Sequence, residues 1–161
     1  MPKSQTSELL TFLLPFDNHI VELALWLREF VWDRYPHCNE LIYDNYNAVA
    51  VGWSPTEKMG DTFCSIGVYG NKDVHFGFYW GSKIADPEKM LLGNGNQYRY
   101  IKLNTQADFP QAYIEKRVAD AYAYSVSQLK PKSVILNGQT IVKSISAKKK
   151  RPGIVAPTKK K

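Results

Sequence analysis

Two different periods of apolar residues divide this chain. Near the N-terminus they recur at i, i+3, i+4 and i+7; through the middle they fall on every second position. The first period predicts a helix over roughly Ser7 to Leu14, ended by Pro15, and a longer one capped by Asp17 and running to about Asp33. In the longer helix Ile20, Leu23, Ala24, Leu27, Phe30 and Val31 share one face. Glu22, Trp26, Glu29 and Asp33 line the opposite stripe.

From Leu41 to Leu103 the period is two. Val49, Val51 and Trp53 alternate with Ala48, Ala50 and Gly52; Cys64, Ile66 and Val68 with Phe63, Ser65, Gly67 and Tyr69; Val74, Phe76, Phe78 and Trp80 with His75, Gly77 and Tyr79. Turn residues lie between these runs, from Ser54 to Gly60 and again at Gly70-Asn71-Lys72-Asp73. Asp86-Pro87-Glu88 reads as the start of a short helix closed by Gly93 and Gly95. A last strand, Tyr98 to Leu103, is followed by a helix from Asp108 to about Leu129, with Ile114, Val118, Ala121, Tyr122, Ser125 and Leu129 inward. The expected fold is α+β: an antiparallel sheet of about four to six strands, with two N-terminal helices and one long C-terminal helix packed on it.

Length and composition fit one domain. The chain has 161 residues, 44% hydrophobic, enough for a core without disulfide or metal support. Its boundaries are expected at 1–129 for the domain, 130–147 for a short hairpin arm around Asn137-Gly138, and 148–161 for a basic disordered tail. The net charge of +6 is unevenly spread. Residues 1–128 hold eleven Lys or Arg against fifteen Asp or Glu, a net of −4, whereas 129–161 hold ten basic residues and no acid. A basic face built into the domain, the usual footprint of a duplex-binding fold, is therefore not expected. Two readings of the tail remain: a solvated end, which is preferred, or a weak, salt-sensitive contact with phosphates or an acidic surface.

Cys38 and Cys64 stand far apart and outside any C-x-x-C pair, so two reduced thiols in a cytoplasmic protein are expected. The apolar stretch Leu9 to Phe16 is too short to span a bilayer. His37, Cys38, Cys64 and His75 lack the spacing of a zinc module. No G-x-S-x-G is present, and no nucleophile, base and orienting group stand out together, so an enzyme is the less favoured reading.

The chemistry that does stand out is on the sheet. If the bulky alternate positions face the core, the other face carries Gly52, Gly67, Gly77, Ala48 and Ala50, ringed by Phe63, Tyr69, His75, Tyr79, Tyr98, Tyr100 and Lys102. Small residues inside strands mark close approach by another backbone or by a ligand. Either a helix, the last one, packs on this floor, which is preferred, or the floor is a shallow groove with an aromatic rim. For the groove, the ligand-binding set is Tyr69, His75, Tyr79, Trp80, Tyr98, Arg99, Tyr100 and Lys102, and the ligand a small molecule or a protein, without a cofactor.

The string Val74-His75-Phe76-Gly77-Phe78-Tyr79-Trp80-Gly81, then Asp86-Pro87, Leu91-Leu92-Gly93-Asn94-Gly95 and Arg99-Tyr100-Ile101-Lys102-Leu103, resembles the YdhG-like bacterial family of unknown function. The likeness runs from about Pro15 to Leu129, and the ending Ile141 to Lys148 is similar to the tails of some members. Trp80 stands where the family often has arginine, which removes an anion-binding role there. The resemblance implies a compact α+β domain with an antiparallel sheet and a non-enzymatic binding role. Because some members are described as frataxin-like iron chaperones, it also implies an alternative: an iron-binding chaperone using Glu22, Glu29 and Asp33.

Overall fold

A computed structural model describes residues 7–152. Three helices, α1 (Ser7–Leu13), α2 (Asn18–Arg34) and α3 (Gln111–Ser127), accompany six strands: β1 (Asn39–Asp44), β2 (Val49–Ser54), β3 (Cys64–Val68), β4 (Val74–Phe78), β5 (Arg99–Leu103) and β6 (Thr140–Ile145). Pro15 separates the first two helices. Asp17, in extended backbone, leads into α2, and its carbonyl accepts the Ile20 and Val21 N–H groups.

The strands form one sheet in the order β5-β4-β3-β2-β1-β6. β1 to β5 are an antiparallel meander, but β6 lies parallel to β1, so the sheet is mixed and not antiparallel. The connection explains the difference. A parallel neighbour needs a long crossover. Here the chain leaves β5 at one edge, runs through α3, and returns at the other edge.

Alternation along the strands sorts the two faces. Ile66, Phe76 and Ile101 are cross-strand partners on one face, while Gly67 pairs with His75 and Gly77 with Tyr100 on the other. The bulky face joins Ile20, Leu27, Phe30 and Val31 of α2 and Ile114, Val118 and Ala121 of α3 in a single buried cluster. Phe109 contacts Phe30 and Phe76 edge-on, at 4.9 and 5.9 Å between ring centres.

β1 departs from the apolar-inward rule. Its partners place Glu40 and Asp44 on the same face as Val49, Val51 and Trp53. Both acids are fully buried. Arg28 of α2 meets Glu40 with two hydrogen bonds, at 2.5 and 2.8 Å, and the Thr140 hydroxyl adds a third at 3.1 Å. Asp44 is met by Arg151 at 2.6 Å and also by Lys149. Arg151 further donates to the carbonyls of Tyr46 and Asn45, at 2.9 and 2.7 Å.

The C-terminal segment is thus part of the sheet. The hairpin expected at 130–147 does not form: residues 134–136 are not a strand, and Thr140–Ile145 pairs with β1 instead. Of the basic end, Lys149 and Arg151 are tied to Asp44, while 153–161 lie outside the described residues. The helix expected after Asp86 is also absent. The Asp86 carboxylate accepts the N–H groups of Met90 and Leu91, and Lys89 takes a positive φ of 53°, so the chain turns there. Gly93 then sits beside a bridge between Leu92 and Tyr100, not at a helix end. Asp108 belongs to a short 3-10 turn, and α3 begins after Pro110.

A buried carboxylate stripped of its cation costs about 3–5 kcal/mol. Arg151→Ala should therefore lower the urea midpoint by that much, and Asp44→Asn combined with Arg151→Met by much less. Equal losses in the two variants would show that the pair contributes only packing.

Candidate functional site

No helix covers the small-residue face among the described residues, so the preferred packing of the last helix on the glycine floor is corrected. α3 turns Ile114, Val118 and Ala121 to the opposite face, where they bury against Phe76 and its neighbours. The sheet's own tyrosines occupy much of the floor. A Cβ added at Gly77 would fall within the Tyr98 ring, and one at Gly67 would lie 3.0 Å from the Tyr69 ring. Glycine is needed at both positions because an aromatic ring lies flat on the backbone. Tyr98 also hydrogen-bonds Ser65, and burial raises its phenol pKa far above the ordinary value.

Beside this filled part runs an aromatic ladder. Tyr98 and Tyr100 stack at 5.5 Å, His75 stacks on Tyr100 at 4.8 Å, and Tyr69 leans on His75 at 4.7 Å. These rings spend their faces on one another, which leaves little free π-surface for an outside ring. His75 approaches Asp73 at 3.2 Å, and Lys102 is exposed on the next strand.

The third glycine differs. Gly52 opens into a cavity of about 150 Å³ lined by Tyr43, Asn45, Ala50, Gly52, Met59, Thr62, Ser65 and Tyr79. A Cβ at Gly52 would meet only the Thr62 methyl, at 3.0 Å. Cross-strand pairing builds the floor: Tyr43 faces Ala50, Ala50 faces Gly67, and Gly52 faces Ser65. The loop between β2 and β3 folds over as a wall. Thr56, Asp61 and Ser54 hold it, with the Thr56 hydroxyl on Asp61 at 2.6 Å and the Thr56 N–H on the Ser54 hydroxyl at 3.1 Å. Two hydroxyls in the lining, Tyr43 Oη and Thr62 Oγ1, are sealed from solvent and have no hydrogen-bond partner. Burial first, and the Tyr79 phenol second, push the Tyr43 pKa up, so Tyr43 is a neutral donor.

The C-terminal segment shapes this wall. The β1–β6 register shifts between Ile42 and Tyr43, as a β-bulge does where a side chain is re-aimed. The Ser144 hydroxyl lies 2.8 Å from Asn45 Oδ1.

Of the residues singled out from sequence, Tyr79 lines the cavity, and Tyr69, His75, Tyr98, Tyr100 and Lys102 share its face. Three others lie elsewhere. Arg99 pairs with Phe78 on the bulky face and donates to the carbonyls of Gly95 and Tyr98. Trp80 donates to the Gly60 carbonyl at 2.8 Å and leans towards Tyr124 of α3. Phe63 precedes β3 and escapes its alternation, packing against Tyr35 and Tyr122. Sequence reasoning missed Tyr43, Asn45, Met59 and Thr62. The parity of β1 would have found Tyr43, opposite Ala50.

The acidic stripe of α2 makes no common site. Glu29 and Asp33 border one cleft with Arg34 and Gln111, and Glu22 borders another with His19. Among the described residues, no group of three or more His, Cys, Asp or Glu is arranged to hold a metal ion. Cys38 and Cys64 are free and buried, and burial pushes the Cys38 thiol to about 12, far from a reactive thiolate. No described helix is long and apolar enough to cross a membrane.

Burial lowers the His75 pKa below 6.5, opposed by Asp73 and assisted by Lys102. The folded chain then holds the proton less tightly than the unfolded one. Its contribution to stability should be complete above the ordinary imidazole value and fall away as the solution is acidified through it. An NMR titration of His75 should give a midpoint below 6.5, and His75→Gln should flatten the stability slope near that pH; a midpoint above 6.5 would mean that Asp73 dominates. No protein-family model, curated protein or solved structure matches the chain, so geometry alone carries the functional reading.

Proposed function

We propose that this chain is a non-enzymatic binding domain that takes a small molecule, about the size of one ring, on the glycine side of its sheet. One observation carries the reading: the Gly52 cavity is concave and holds two sealed hydroxyls that its own chain leaves without partners. Buried polar groups are ordinarily hydrogen-bonded, and a ligand atom would complete them. The lining supplies no carboxylate, imidazole or thiol, which favours binding over turnover. A concave site of this size suits a small molecule better than the flat contact of a protein partner.

The remainder of the glycine face serves the site from beside it. Tyr98 fills the floor next to Ser65, and the stacked ladder behind it stiffens β4 and β5. A YdhG-like origin agrees with such a role.

Single-ring fragments screened by amide NMR should shift Ala50, Gly52 and Ser65 before any other residues. Ala50→Leu, which projects into the cavity, should weaken every hit by roughly tenfold, about 1.4 kcal/mol, with the fold retained. Hits that cluster instead on α2, or that bind Ala50→Leu equally well, would overturn the assignment.

A further inference from the structure

We infer that the Gly52 cavity selects a neutral single-ring compound bearing one hydroxyl or carbonyl oxygen, with a phenol as its simplest form; this rests on the binding reading above. Size sets the first limit. A closed cavity of about 150 Å³ is the scale that admits benzene. Larger fused rings would have to displace Tyr79 or Met59.

Charge sets the second limit. No Asp, Glu, Lys or Arg lines the cavity. A carboxylate or an ammonium entering it would lose its water and meet no opposite charge, a penalty far larger than one hydrogen bond returns. The acids nearest in sequence are already committed: Asp44 points to the other face, and Asp61 accepts from Thr56.

The third limit is the placing of hydroxyls. Thr62 is only 4% exposed, and its Oγ1 lacks a partner, as does the sealed hydroxyl of Tyr43. Each can donate or accept. A ligand hydroxyl can accept from one and donate to the other, and a carbonyl can accept from both. A plain hydrocarbon leaves both unsatisfied. Asn45, by contrast, already has its Oδ1 engaged by Ser144, so it borders the site without needing a ligand atom. The apolar part of the ring would rest on Ala50 and Gly52, with the Met59 thioether at the mouth, where sulfur–ring contact is favourable.

The test uses the full chain with phenol, benzene, benzoate and benzylammonium as probes, read on the Met59 and Thr62 methyl resonances. Phenol should shift both methyls and bind most tightly. Tyr43→Phe should weaken phenol by about tenfold and leave benzene unchanged. Thr62→Val, which keeps the methyl but removes the hydroxyl, should do the same, read on the Met59 methyl. Thermal melts of both variants check that they fold. Benzoate or benzylammonium binding as tightly as phenol would refute the ligand class while leaving a binding site in place. Variants that weaken phenol and benzene equally would refute the role of the two hydroxyls. If no probe moves either methyl, the binding reading itself fails.

Discussion

Two carboxylates sealed beneath the first strand govern how this chain closes. Glu40 and Asp44 sit on the core side of β1 with no access to water, so each must be met by a cation or destabilise the fold. The two cations come from opposite ends of the chain: Arg28 from α2, and Arg151 from beyond β6. Arg28 thereby fixes the height of α2 along the sheet. Arg151 draws the C-terminal segment alongside β1, where β6 completes a strand pairing that would otherwise stop at an exposed edge. A charge excess that looks like a solvated tail in the sequence is, through residue 151, partly an internal counter-ion.

What the sequence makes legible follows from this. Where local periodicity and tertiary burial agree, the elements are readable: α2 and its apolar face, the alternation of β2 to β4, and the two faces of the sheet. β1 resists the same reading because its inward positions are Glu40, Ile42 and Asp44, so its pattern looks polar on the side that is buried. Only the distant arginines make that placement tolerable, and a window of a few residues contains neither. The parallel β6 is hidden for the same reason. Val134-Ile135-Leu136 and Thr140-Ile141-Val142 suggest a local hairpin, but β1 offers the second triplet a longer partner that also brings Arg151 to Asp44. The helix after Asp86 fails more locally, because a side chain takes over the backbone donors that a helix would have used.

The candidate site was half visible. The small residues of β2, β3 and β4 are plain from alternation, but what lies over them is not. Two of the three glycines are covered by tyrosines that start just outside strand ends, Tyr69 after β3 and Tyr98 before β5, and whose direction depends on where those strands stop. The helix expected to cover the floor was drawn to the bulkier face, where Phe76 and Phe109 offer more apolar area. The cavity is what remains of the trough once the protein's own rings have settled into it.

This origin links the site to the ion pairs. The strand that carries Glu40 and Asp44 inward carries Tyr43 outward, and the next residue on that side is Asn45. Arg151 binds the carbonyl of Asn45 while it neutralises Asp44, and Ser144 holds the Asn45 side chain. One wall of the cavity is therefore the reverse side of the charge cluster that anchors the C-terminal segment. Any movement of that segment large enough to release Arg151 must also free the β1–β2 turn and, with it, the polar wall of the cavity. The position of the tyrosine hydroxyl at the site and the docking of the last strand are two consequences of one buried aspartate.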